Sequence, residues 1–293
     1  MESQRSFLVI ALMIVTFLLF QEWQTANAPV VEQPQVQTST SNNTTTNDEN
    51  SVPVAASTGS TSVVQSTSVK DAQLITITTD VFEAKINTRG GDIVEVKLLQ
   101  YETEQNSGIP LTIMQNGKQK YIAKSGLTGT NGPDALIKGR PIYQTSATTY
   151  TLADGESTIT VPLTYIDAAG LNVTKNYIFN RDDYAIKVEY NLVNNTATDA
   201  SVVLYAELRQ SSYVEQSSAF IPTYRGAAYS TSEKLYKKYD FEDIADVNLN
   251  QTTRGGWVAM LQHYFVSAWV PDSNKNNLLT SEYKRSSGDA IIG

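Results

Sequence analysis

From Gln73 onward apolar residues recur at every second position, and a period of two builds strands, not helices. In Ser157–Ile166 the residues Ile159, Val161, Leu163 and Tyr165 share one face, with Thr158, Thr160 and Thr164 opposite. Pro162, which has no amide to donate, marks an edge strand or a bulge. Asp167-Ala-Ala-Gly170 turns the chain, and Leu171, Val173, Tyr177 and Phe179 resume the alternation. Tyr184, Ile186, Val188, Tyr190 and Leu192 give the cleanest strand, and Asn194-Asn195 turns out of it into Ser201–Leu208. Upstream, Phe82, Ala84 and Ile86 alternate, Arg89-Gly90-Gly91-Asp92 turns, and Val94, Val96 and Leu98 alternate again. Antiparallel strands joined by short hairpins over about 220 residues predict an all-β sandwich. Helical periodicity is confined to Ser232–Val247.

The first 69 residues follow other rules. Phe7 to Phe20 reads FLVIALMIVTFLLF, and extended to Trp23 it makes about 25 Å of helix, at the short end of a bilayer span. Arg5 precedes it and no Lys or Arg follows until Lys70, so residues 1–6 are expected in the cytoplasm and the remainder across the membrane. Trp23 stands where an interfacial anchor would. The competing reading is a cleavable signal peptide ending at Ala26-Asn27-Ala28; Pro29 directly after it suits a processing protease poorly. Both readings export the rest of the chain. Residues 24–69 are Thr, Ser, Asn, Gln, Val and Pro with almost no charge, which predicts a disordered tether ahead of a domain at 70–293.

Composition removes several chemistries. There is no Cys, which excludes disulfides, thiolate metal sites and a Cys nucleophile, and a single His excludes a two-His centre. Of 22 basic and 30 acidic residues, giving a net charge of −8, the segment 1–69 holds only Arg5 against Glu2, Glu22, Glu32, Asp48 and Glu49. The remaining mildly acidic surface argues against a nucleic-acid partner. His263 lies in Gly255–Val270, where both alternation faces are apolar; this reads as one strand buried on both sides, with His263 packed within it. Gly90-Gly91 lacks the Lys-Ser/Thr of a phosphate loop and reads as a hairpin turn. Asp182-Asp183 and Glu242-Asp243 read as solvated turn residues, not a catalytic carboxylate pair. Lys234, Lys237 and Lys238 read as a solvated face neutralised by Glu233, Asp240, Glu242 and Asp243. No catalytic, cofactor-binding or metal-binding residue is expected.

Several blocks resemble one family. They are the opening Met1–Leu12, Asn87-Thr-Arg-Gly-Gly-Asp-Ile93, Ser125-Gly-Leu-Thr-Gly129 with Asn131-Gly-Pro-Asp134, Arg225-Gly-Ala-Ala-Tyr-Ser-Thr231, and Gly255-Gly-Trp-Val-Ala-Met-Leu-Gln-His-Tyr-Phe265. Together they are similar to the proteobacterial YidC membrane-protein insertases. The resemblance implies a first transmembrane helix anchored at Phe7, Phe20 and Trp23, and a periplasmic β-supersandwich like that of galactose mutarotases. It marks Gly90, Gly91, Arg225, Gly226, Gly255, Gly256 and Trp257 as structural motif residues. It further implies an inner-membrane location and a non-enzymatic insertion and folding role without a cofactor. The partners it implies are nascent inner-membrane proteins, Sec translocon components and the lipid bilayer.

The family's groove-bearing membrane core has no counterpart in these residues, so the chain is expected to be an N-terminal fragment whose domain is cut near its end. On that expectation Gly255–Val270 would lack a neighbouring strand, supplied from beyond Gly293. An exported polypeptide- or glycan-binding module, or a sugar-active enzyme, stays open beside the insertase reading.

Overall fold

The computed structural model describes residues 72–135, 139–213, 224–262 and 264–293. The segment Phe7–Trp23, the expected tether and His263 lie outside the described residues. Among the described residues no helix is long and apolar enough to cross a membrane.

Among the described residues seventeen strands fall into three sheets. The largest has ten strands; the turn predicted at Arg89–Asp92 forms one of its hairpins, and several of its other pairings join segments distant in the chain instead of the expected succession of short hairpins. Its centre is β1 (Leu74–Thr78), β2 (Phe82–Asn87), β3 (Asp92–Glu102), β4 (Pro110–Met114) and β5 (Tyr121–Thr128), with the short β6 (Thr149–Thr151) at one edge. Beyond β5 come β10 (Val203–Ser211), β17 (Asp289–Ile292), β16 (Asn276–Lys284) and β13 (Asn250–Arg254). All pairs are antiparallel except β1 with β6. A second sheet is the meander β7 (Thr158–Ile166), β8 (Leu171–Asn180), β9 (Ile186–Asn194). The third orders β12 (Lys237–Tyr239), β11 (Gly226–Ser230), β14 (Trp257–Gln262) and β15 (Phe265–Trp269).

One continuous apolar core joins them. Ile75, Ile77, Phe82, Ala84, Ile86, Val96 and Leu98 of the large sheet meet Val161, Leu163, Val173 and Phe179 of the second and Tyr229, Val258 and Met260 of the third. The predicted inward face of β7 holds as read: Val161 and Leu163 are buried, and Pro162 sits on a strand whose only full-length partner is β8. At roughly 25 cal/mol per Å² of apolar surface, such side chains contribute about 1.5–3 kcal/mol each, which offsets the ordering entropy of the strands.

Five local expectations are corrected. Gly255–Val270 is a hairpin, not one strand: β14 ends at Gln262, Tyr264 takes a left-handed φ of 76°, and β15 returns. Both neighbours of β14, namely β11 and β15, come from within the chain, so the expected missing partner is not required there. In the β2–β3 hairpin the register shifts after Lys85, so Ile93 stands opposite Ile86 and Val94 is displaced from the regular alternation. Tyr184 precedes β9 instead of opening it, and Leu192 is half-exposed because β9 borders its sheet. The helical stretch shrinks to α1 (Phe241–Asp246), and Glu242 and Asp243 occupy its first turn, where acidic groups favour the helix N-terminus. The Asp240 side chain accepts from the Asp243 amide at 2.8 Å and the Asp243 carboxylate accepts from the Asp240 amide at 3.2 Å, closing a capping box.

Candidate functional site

The chemistry-bearing side chains gather inside the β2–β3 turn. Gly90 and Gly91 both have positive φ, 74° and 62°, as a tight hairpin turn with right-handed strand twist requires. Their missing side chains also make room. A Cβ on Gly90 would overlap the Arg140 guanidinium, and one on Gly91 would sit 3.1 Å from both Leu163 Cδ1 and Lys175 Cδ.

Lys175 enters this turn from β8. Alternation puts it on the inward face between Val173 and Tyr177, and it is fully buried. Its Nζ donates to the Gly91 carbonyl at 2.7 Å, the Gly90 carbonyl at 3.1 Å and the Ser125 carbonyl at 3.1 Å, which uses all three ammonium protons. The Tyr177 and Tyr190 rings lie 5.1 and 5.5 Å from it, and Tyr177 Oη donates to the Gly91 carbonyl as well. Burial pulls the amine down to about 7; Asp92 pulls it up, Arg140 down and Asp134 up. The three carbonyl dipoles and two ring faces favour the charged form.

Arg140 completes the cluster from the loop after β5. It pairs with Asp92 and with Asp134, the latter at 2.7 Å, and donates to Tyr205 Oη. Burial opposes its charge, but Asp92 and Asp134 outweigh that and hold its pKa above the ordinary arginine range. Burial raises Asp134, against Arg140. Asp134 is itself pinned, its Oδ2 accepting from the Leu127 amide at 2.9 Å. Two further buried pairs continue along the large sheet: Lys124 with Glu207 at 3.2 Å and Arg209 with Asp289 at 2.7 Å.

This arrangement holds parts together. A general base needs a free lone pair facing a reactant. Lys175 is saturated by carbonyls, and Arg140 is held by two carboxylates and a hydroxyl while its buried Nε has no hydrogen-bond partner. Among the described residues no group of His, Asp and Glu is placed to hold a metal ion.

The seven motif residues do not form one site. Gly90 and Gly91 belong to the buried cluster. Arg225 donates to the Ser211 carbonyl at 2.8 Å and the Tyr213 carbonyl at 3.0 Å, and lies 5.6 Å from the Phe241 ring. Gly226 opens β11, and a Cβ there would come within 2.9 Å of Tyr224 Oη. Gly255 and Gly256 lead into β14, where Trp257 is half-buried against Tyr236 at a ring separation of 6.1 Å. Reading by periodicity missed Lys175, Arg140, Asp92 and Asp134. For Lys175 the signal was there, since it occupies an inward position of an otherwise apolar face.

Comparison with known proteins gives a consistent result. Residues 74–293 match the family model of the YidC periplasmic domain. The chain is similar to the membrane protein insertase YidC of Pseudoalteromonas translucida (strain TAC 125), 45% identical over 295 residues that cover 100% of this chain and 53% of that protein. It is similar to those of Pseudoalteromonas atlantica, at 43% over 295 residues, and Shewanella sp. (strain MR-7), at 42% over 294, with the same coverage of 100% and 53%. The chain thus spans about half the length of the curated relatives it matches.

Proposed function

Because this chain belongs to the YidC membrane-protein insertase family, we propose that it is the membrane-anchored periplasmic part of a protein that inserts and folds inner-membrane proteins. The observation that carries this is the match of residues 74–293 to the YidC periplasmic domain, with relatives named as insertases at 42–45% identity over the whole chain. In this reading nascent inner-membrane proteins are the clients, the Sec translocon is a partner, and no covalent chemistry or cofactor is involved. A polar path lowers the desolvation cost of moving a client's hydrophilic segment into the bilayer.

Residues 1–6 would be cytoplasmic, 7–23 the transmembrane helix with Phe7, Phe20 and Trp23 in the bilayer, 24–69 the tether and 70–293 the periplasmic domain. Arg5 before the apolar run and the absence of basic residues from 6 to 69 support that orientation. A mutarotase-like supersandwich is the proposed architecture, supported by a ten-stranded sheet sharing one core with two smaller sheets. The seven motif residues are proposed as shaping turns and seams, with Gly90 and Gly91 admitting the buried cations.

Depletion and rescue tests the function. A full-length protein carrying this chain should restore membrane insertion of a single-span client in cells depleted of their own insertase. Failure to restore it, where the Pseudoalteromonas translucida relative succeeds, would overturn the proposal.

A further inference from the structure

One end of the four-stranded sheet collects exposed apolar and basic side chains. The loop from β11 to β12 carries Lys234, Leu235 and Tyr236, with Leu235 at 81% exposure and Tyr236 at 54%. Tyr236 rests on Trp257, the first residue of β14. Val270, 72% exposed, follows Trp269, whose register partner is Val258, so it emerges at the same end.

Two neighbouring segments are tied to this end. The Ser232 amide donates to Thr253 Oγ1 at 2.9 Å, which brings Arg254 alongside, and the Gly255 amide donates to the Lys275 carbonyl at 3.2 Å. Among the described residues, exposed Lys234, Lys237, Arg254 and Lys275 thus gather at this end with Glu233 and Asp272. A ring steadies one of the lysines: Lys237 lies 5.7 Å from the Tyr229 ring, whereas Lys238 lies 4.4 Å from the Tyr224 ring at the other end of β11.

The sequence alone pairs Lys234, Lys237 and Lys238 with Glu233, Asp240, Glu242 and Asp243. β12 carries the chain away from this end, so Asp240 and α1 lie toward Lys238 and Tyr224 at the other end of the strand, while Lys234 and Lys237 stay at this one.

We propose that this basic, aromatic-edged end docks on an anionic phospholipid surface. Lysines pair with headgroup phosphates while keeping their alkyl stems low, Tyr and Trp prefer the headgroup depth, and an exposed leucine or valine gains by entering the acyl boundary. The site rests on the reading that the domain is held beside a bilayer, where a weak surface is sufficient because the anchor keeps its effective concentration high.

The absence of cysteine permits a clean probe. Ser232→Cys in the whole chain, labelled with an environment-sensitive dye, is reconstituted into vesicles of phosphatidylethanolamine with phosphatidylglycerol, or of phosphatidylcholine alone. The expected result is a blue-shifted emission, shielded from aqueous quencher, on phosphatidylglycerol vesicles at low salt. High salt should reverse it, and joint Lys234→Glu, Lys237→Glu and Arg254→Glu changes should weaken the shielding at least tenfold. A dye equally exposed on both vesicles, or equally shielded on both, would overturn the proposal; the second outcome would indicate a protein contact. Flotation reads the anchor separately. A chain that does not float with phosphatidylcholine overturns the anchor, and the dye on added phosphatidylglycerol vesicles still decides the loop.

Discussion

Lys175 brings a positive charge into an otherwise apolar strand face, and its three carbonyl partners leave it no freedom. Lys175→Met would leave the carbonyls of Gly90, Gly91 and Ser125 without that donor, in a place water does not reach. The expected loss is about 2–4 kcal/mol, read from urea midpoints, a large share of a typical domain stability of about 5–15 kcal/mol. Its pH dependence has a definite sign. The unfolded chain holds this proton up to 10.5, and burial brings the native value down to about 7. Between those values the unfolded state binds more protons, so this group's contribution is complete above 10.5 and lost as pH falls through about 7. Native protein should therefore gain stability from neutral pH toward pH 9 (roughly 1.4 kcal/mol per unit at most for one proton) relative to Lys175→Met, and equal slopes would refute this. Gly91→Ala attacks the same place from the backbone. With φ at 62° and Lys175 Cδ 3.1 Å from the new methyl, it should cost about 2–3 kcal/mol by the same measurement. Gln210 is the contrast: it is fully buried, yet neither side-chain amide atom has a partner, so Gln210→Met should be neutral or stabilising.

Among the elements, the β14–β15 hairpin carries its strain in the open. Tyr264 holds a left-handed φ of 76° at 87% exposure, a conformation a bulky side chain resists. Tyr264→Gly should raise stability by about 0.5–1 kcal/mol, strain relief exceeding the added unfolded-state entropy; a fall in thermal midpoint would contradict it. This hairpin also marks where sequence reading stops. Period two located β7, β8 and the inward face of β2 because one face is apolar and the other polar. In Gly255–Val270 both faces are apolar, so a reversal between Gln262 and Phe265 leaves no gap in the pattern. Arg140 was illegible for another reason: it sits in a loop, with no period to reveal that it points inward at Asp92 and Asp134. Lys175 was legible and was passed over because a charge at an inward position reads as an interruption.

At the scale of the molecule, the proposed layout predicts a sharp boundary in protease resistance. Limited proteolysis should cut within residues 24–69 and leave a resistant fragment from about residue 72, since the described strands begin at Leu74. Protection of residues 38–50 in the isolated chain would remove the tether from the proposal. N-terminal sequencing of the mature protein tests the anchor, and a chain beginning at Pro29 would show that the apolar segment is cleaved.

The ten-stranded sheet also sets a timetable. Its central seam pairs Tyr121 with Gln210 and Thr128 with Val203, so β5, beside β3 on one side, waits for its second partner until the whole β7–β9 meander has emerged. Its far side is later still, because β17 joins β10 only when Ile292 can reach Leu208. Closing such loops costs entropy before any pairing returns it, and sheets built from distant strands fold in roughly milliseconds to seconds. A chain threaded outward from its amino end would therefore cross the membrane with β5 bare along one side. In the proposed layout that strand would stay open during export, and the buried Arg209–Asp289 pair would be among the last contacts to form.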